Sequence, residues 1–258
     1  MKAILNIKED FKLTSHFLQL SLKLRVKNTF AGFFWVIFNP ILVYLTHCLI
    51  FTKVLNLNIK NIPLFLLGGV LPWSFFSICI DIASSSLLYA RQLLLTFNIH
   101  PYIIILSSVL ENFFLLLCSL LFLLIFFYIK MPFNFLYIPL LIFFLLQLFL
   151  FTFCCSFIVG ILNIYYRDIK YISMFALNIL FFLTPIVYPE EKLGLEYKFL
   201  IYFNPLYKVI KPIRVCIYEP HNLFSSSLYL ESFLSTATVC LIAYFTWKKA
   251  KYDLFERL

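Results

Sequence analysis

Glycine is scarce in this chain of 258 residues, which has only five. None of them frames a Gly-x-x-x-x-Gly-Lys-Ser/Thr loop, so the chain carries no sequence for cradling nucleotide phosphates. Charge is equally thin. Asp, Glu, Lys and Arg make up 13% against 63% hydrophobic residues, and the mean hydropathy of +0.95 excludes an ordinary soluble domain. The seven cysteines, Cys48, Cys79, Cys118, Cys154, Cys155, Cys216 and Cys240, show no CxxC spacing and read as packing residues. His16, His47, His100 and His221 are scattered singly, which argues against a metal or catalytic cluster. Catalytic and metal-ligating residues are therefore assigned to none, and no nucleic-acid motif occurs.

What is present is a set of long uncharged runs. No Asp, Glu, Lys or Arg falls between Lys27 and Lys53, Lys60 and Asp81, Glu111 and Lys130, Lys130 and Arg167, Lys170 and Glu190, or Glu231 and Lys248. Each gap can hold most or all of a spanning helix, which needs roughly 20 apolar residues. Helices are expected near 32–53, 61–88, 102–129, 137–163, 171–189 and 228–247. The runs are continuously Leu, Phe and Ile, without the alternation of a membrane barrel. The expected fold is an all-α integral membrane protein with six transmembrane helices, forming a single domain over 1–258. Within it, 1–31 is a cytoplasmic interfacial helix, 32–247 the bundle and 248–258 a cytoplasmic tail.

An even number of spans puts both termini on one side. With the termini inside, thirteen of the 21 Lys and Arg residues lie on that side, the bias that favours a cytoplasmic location. The net charge of +9 sits at membrane boundaries, which suits anionic inner-leaflet lipid better than nucleic acid. The first apolar run follows a charged segment too long for a signal-peptide n-region and lacks a small-residue cleavage site, so it is expected to remain as the first span. Before it, Leu13, Phe17, Leu20 and Leu24 repeat at helical spacing beside a stripe of Lys12, His16, Gln19, Lys23 and Lys27, the pattern of a helix in the interface plane. It serves as a lipid anchor, or places Arg25 and Lys27 at the entry of an anionic headgroup, or both.

Two acids fall within the apolar runs. Asp81 lies about midway in the second expected helix and Glu111 early in the third, where a carboxylate is costly unless it faces protein, water or a partner. Asp81 either pairs across the bundle or hydrates a polar conduit; Glu111, beside Asn112, snorkels or packs at a subunit contact. The Glu190 to Ser227 connection is too long for a turn, and Phe199-Leu200-Ile201-Tyr202-Phe203 is too apolar for a free loop. It reads as two short re-entrant helices on the outer side, broken at Asn204-Pro205, with Lys208, Lys211 and Arg214 on one face. Aromatic residues are 20% of the chain. A subset can stack on sugar rings, with Tyr188, Tyr202 and Tyr207 near the outer mouth as candidates against a role as interface anchors.

Five blocks then carry a resemblance. They are Arg25-Val26-Lys27 with Gly32, Trp35 and Pro40; Gly68-Gly69-Val70-Leu71-Pro72-Trp73-Ser74-Phe75-Phe76, followed by Ser84, Ser85 and Ser86; Asn163 to Arg167-Asp168; Thr184-Pro185-Ile186-Val187-Tyr188; and Asn204-Pro205-Leu206 with Arg214. In order and spacing they resemble the membrane permeases of ABC exporters for polyprenyl-linked polysaccharide. Val26, Ala31 and His100 depart from that pattern, the last standing where a Phe precedes Pro101.

The resemblance implies a permease that performs no covalent chemistry and acts as a homodimer. It would work with two copies of a cognate ABC ATPase that bind ATP and Mg, while this chain binds no cofactor. The cargo would be a lipid-linked polysaccharide of the O-antigen, lipopolysaccharide or teichoic acid kind, exported across a bacterial inner membrane. The short turn after the second span would dock in the ATPase through Arg91, Leu93, Leu94, Phe97 and Asn98, with Arg167 and Asp168 as a second contact. Arg25, Lys27, Trp35, Trp73, Asp81, Tyr188, Tyr202 and Arg214 are the candidates for substrate path or headgroup. Arg167-Asp168 also has a plainer reading, a local ion pair capping the next helix. Rival functions are the same fold exporting another lipid, a drug or haem; an intramembrane enzyme on polyprenyl substrates using Asp81 and Glu111; and a passive assembly scaffold.

Overall fold

The computed structural model describes residues 7–27, 33–54, 61–97, 99–128, 137–190, 194, 196, 198–220 and 225–257. Asn98 and the run 28–32 lie outside the described residues. Eleven α-helices follow in order: α1 (Ile7–Val26), α2 (Phe33–Leu49), α3 (Ile62–Tyr89), α4 (Arg91–Phe97), α5 (Pro101–Tyr128), α6 (Ile138–Tyr165), α7 (Ile169–Leu183), α8 (Lys198–Phe203), α9 (Pro205–Tyr218), α10 (Ser226–Ala250) and α11 (Leu254–Arg257). A five-residue π-helix, Ile50–Val54, continues α2. No strand occurs among the described residues.

Four helices, α3, α5, α6 and α10, are long and apolar enough to cross a membrane. The first and fifth expected spans come out differently. α2 has 17 residues, about 26 Å at 1.5 Å per residue, and gains length only through its π-helical end. α7 stops at Leu183 after 15 residues, about 22 Å, instead of running to 189. The cause is Pro185. A residue before proline is driven from helical to extended geometry, and Thr184 sits at ψ 127°. Pro40 and Pro72, by contrast, lie inside α2 and α3.

α3 is the central helix. Of its most apolar window 72% is buried, against 28% for α10, and it packs on α2, α5, α6, α7 and α9. Its neighbour α9 has only 14 residues, yet its sequence from Leu206 to Ile217 is buried apart from Lys208 and Lys211. All seven cysteines are free thiols. Cys216, expected in an outer loop, is fully buried on α9.

α1 is fixed to protein as well as facing outward. Thr14 is buried, Leu13 and Phe17 pack against the core, and Leu20 and Leu24 remain exposed. The expected apolar stripe is therefore divided between α5 and the surroundings. The reason is polar: Asp10 accepts a hydrogen bond from the Tyr102 hydroxyl, and Arg25 pairs with Glu111. α1 thus takes its orientation from α5.

Candidate functional site

α3, α2 and α7 enclose a groove of about 520 Å³. Its α3 wall carries Trp73, Ser74, Ser77 and Asp81, its α2 wall His47, and its α7 wall Asn178, Phe181 and Phe182. The α3 residues recur at three- and four-residue intervals, as does the α7 stripe from Met174 to Phe182, so each set lies on one helix face. Trp73 packs at a tilt against Phe76 and Phe181, with ring centroids 6.1 and 5.6 Å away. His47 uses Nδ1 toward the Val43 carbonyl at 2.7 Å and its ring packs on Phe51 and Phe181. Asp81 is exposed in this groove, and no hydrogen bond or ion pair among the described residues reaches its carboxylate. A pairing of Asp81 across the bundle, one of the two expectations for it, is absent among those residues.

Behind the same α3 wall lies a second cavity of about 260 Å³, lined by Arg25, Asn39, Pro40, Ser74, Asn112 and apolar side chains. Ser74 and Ile78 border both spaces. Arg25 reaches here from α1, with Nε 2.5 Å from Glu111 Oε1 and Nη2 donating to Asn112 Oδ1 at 3.2 Å. Glu111 is 3% exposed, so the pair answers what a membrane carboxylate does in this fold. It meets a cation 86 positions away in the chain. Arg25, a candidate for headgroup contact, is paired with this acid yet stays exposed, as do Lys27 and Trp35. Asp81 and Glu111 do not converge on one centre, which leaves the intramembrane-enzyme reading without a paired-acid site.

The end of the bundle that holds α9 is built around Arg214. It is buried, its Nη2 donates to the Ile186 carbonyl at 2.8 Å, and its guanidinium lies 4.2 Å from the Phe65 ring centroid. A Cβ on Gly68 would stand 2.6 Å from Arg214 Cα, and one on Gly69 2.6 Å from Arg214 Nη2 and 2.7 Å from the Ile186 carbonyl. Only glycine permits this approach of α9 to α3. Asn204 caps α9 by accepting from the Leu206 and Tyr207 amides, and its Nδ2 donates to Thr184 Oγ1 at 2.8 Å. Three of the sequence blocks thus meet in one knot of Gly68, Gly69, Thr184, Ile186, Asn204 and Arg214. Arg214 is a packing residue here and does not share an open face with Lys208 and Lys211. Lys211 pairs with Glu190 at 2.9 Å, and Lys208 lies over the exposed Tyr202 ring. Tyr188 donates to the Phe182 carbonyl at 2.7 Å, and burial pushes its phenol pKa up, so it stays a donor at neutral pH. Tyr207 donates to Glu190.

At the opposite end α4 turns Leu94 fully inward, with Leu93 against the core, while Arg91, Leu95 and Phe97 face out. The projecting side is therefore Tyr89, Arg91, Leu95 and Phe97, and Leu93 and Leu94 anchor it. Arg167 and Asp168 are exposed in the α6–α7 turn. Asp168 stands at the N-cap of α7, where its charge favours the helix N-terminus, but it makes no side-chain capping bond and no ion pair joins it to Arg167 among the described residues. His47, Ser77, Asn178 and Phe181 escaped the sequence reading of the groove. The signal available was the isolated polar side chain within an apolar run.

Residues 13–218 match the ABC-2 type transporter family. An O-antigen export system permease protein RfbA of Myxococcus xanthus is 31% identical over 206 residues, covering 78% of each chain. One of the same name from Klebsiella pneumoniae is 27% identical over 247 residues, covering 92% of this chain and 91% of its own. A match across four-fifths of the sequence, on a bundle with this groove and these apolar helices, establishes that the chain belongs to the ABC-2 type transporter family.

Proposed function

We propose that this chain is the membrane-spanning permease of an ATP-driven exporter that moves polyprenyl-pyrophosphate-linked polysaccharide outward across the bacterial inner membrane. The observation that carries the reading is the groove of α2, α3 and α7. Asp81 and Asn178 open sideways from membrane-level helices, where hydrocarbon would leave them unsatisfied, beside Ser74 and Ser77, whose hydroxyls bond carbonyls of their own helix. Two copies facing each other would close two such grooves into one conduit. Its aromatic walls, Trp73, Phe181 and Phe182, suit the C-H faces of sugar rings, and its amide, hydroxyl and carboxylate groups suit their hydroxyls. The names of the relatives favour an O-antigen type of glycan.

In this reading α2 with its π-helical end and α7 are the first and fifth of six spans, and both termini are cytoplasmic. α8 and α9 are the outer re-entrant pair. ATP and Mg bind to two separate ATPase subunits beneath the bundle. These receive Tyr89 at the end of α3 and Arg91, Leu95 and Phe97 of α4, together with the Arg167-Asp168 turn, as an apolar and basic knob in a groove. Closure of the motors drives α4 and parts the helices at the dimer seam. The test is co-purification from native membrane in mild detergent. A P-loop ATPase in stoichiometric amount, lost on Phe97→Asp, supports the exporter; a chain that purifies alone under conditions preserving known complexes overturns it.

A further inference from the structure

α1 is bound to α5 at two places and to nothing else as firmly. At the inner end the Tyr102 hydroxyl donates to the Asp10 carboxylate, and the Tyr102 ring stacks on His100 at 5.6 Å and 13°. At the other end the Arg25 guanidinium forks onto Glu111 and Asn112. Between the two clamps Thr14 is buried and Leu13 and Phe17 pack inward. Asp10 meets residue 102 and Arg25 meets residues 111 and 112, so the two helices run in the same direction. His100 replaces the aromatic expected before Pro101, and its imidazole performs the stacking such a ring would.

α4 ends at Phe97, only three residues before this stack, and Leu94 and Ile99 are both buried. Leu94 anchors α4 in the same apolar core that holds Ile99, and only three positions of chain separate Phe97 from His100. At the far end, Arg25 and Asn112 line the inner cavity, whose wall includes Ser74, a residue that also borders the groove. The path runs along the chain from α4 to His100, through Tyr102 and Asp10 to α1, and from Arg25 to the cavity that shares Ser74 with the groove.

We propose that α1 and α5 form one strut, with Asp10, Tyr102, Arg25 and Glu111 as positioning residues that carry displacement of α4 to the groove. The proposal rests on the reading of α4 as the ATPase contact. It assigns α1 a mechanical task beyond lipid anchorage.

The strut is tested by amide hydrogen exchange on the assembled permease and ATPase in nanodiscs, with and without a non-hydrolysable ATP analogue. Nucleotide is expected to change exchange at least twofold in both α4 and α1 of the parent. In Tyr102→Phe and Asp10→Ala, which delete one hydrogen bond and leave the ring stack, the change is expected to stay in α4 and vanish from α1. Because both variants break the same contact, the double variant behaves as either single one. At the other clamp, Glu111→Gln alone leaves Arg25 unneutralised and lowers glycan exported per ATP several-fold; Arg25→Gln added to it restores part of the loss. An α1 that ignores nucleotide in the parent, or responds equally in the variants, overturns the strut and leaves a lipid anchor. Absence of any ATPase from the preparation overturns the exporter reading instead.

Discussion

The two sides of α3 solve opposite problems. Toward α9 it presents Gly68 and Gly69, and the helices approach until one added methyl would strike backbone. The one charge there, Arg214, meets a carbonyl and a ring face, while its Nε is buried without a hydrogen-bond partner among the described residues. Toward α2 and α7, one to three turns further along, it presents Trp73, Ser74, Ser77 and Asp81 to open space. Polar groups at the seam are enclosed by partners from the same chain, whereas at the groove only the serine hydroxyls and His47 bond their own helices and the Asp81 carboxylate stands open. The distinction separates what holds the permease together from what it handles.

That contrast breaks most severely at the seam. Gly68→Val places branched carbons where the Arg214 backbone stands; overpacking of this kind typically costs about 1–3 kcal/mol or more. Little monodisperse protein is expected after size-exclusion in detergent. Arg214→Leu comes next: it strands the Ile186 carbonyl and removes the contact with Phe65, for an expected loss of about 1–3 kcal/mol, read as a lower melting temperature. Arg214→Lys is expected to fall short of rescue, since an ammonium cannot span carbonyl and ring together. Asp81→Asn sharpens the other side, with melting within about 0.5 kcal/mol of the parent, as for a group with no partner to lose, and export of glycan reduced. If Asp81→Asn melts early while exporting normally, the carboxylate is structural and the contrast is false. Smallest is Lys211→Ala, which breaks a half-exposed pair with Glu190 worth about 0–1 kcal/mol and should barely move the melting curve.

Much of the architecture is legible in composition and local pattern. The uncharged runs locate α3, α5, α6 and α10 to within a few residues, because a helix must satisfy its own backbone in hydrocarbon. What escapes is whatever depends on distant pairing. Nothing near Glu111 in the chain announces Arg25 as its partner, and nothing near Gly68 announces Arg214. The inward turn of Leu93 and Leu94 likewise follows from the packing of α4 on the bundle, since a seven-residue helix has too little periodicity to declare its face. Pro185 was visible, but whether a proline kinks a span or ends it is decided by its surroundings. Here Thr184 is held by Asn204 and the helix ends.

The glycine seam also sets a clock. The socket on α3 is synthesised at residues 68 and 69, but the arginine that fills it lies roughly 145 residues later. At about 5–20 residues per second, the ribosome takes roughly 7–30 s to deliver it. Throughout that interval the most closely packed part of the finished protein is an open slot in a helix already committed to the membrane. Whatever shields that slot, whether lipid, a neighbouring nascent helix or an insertion chaperone, must yield it to α9.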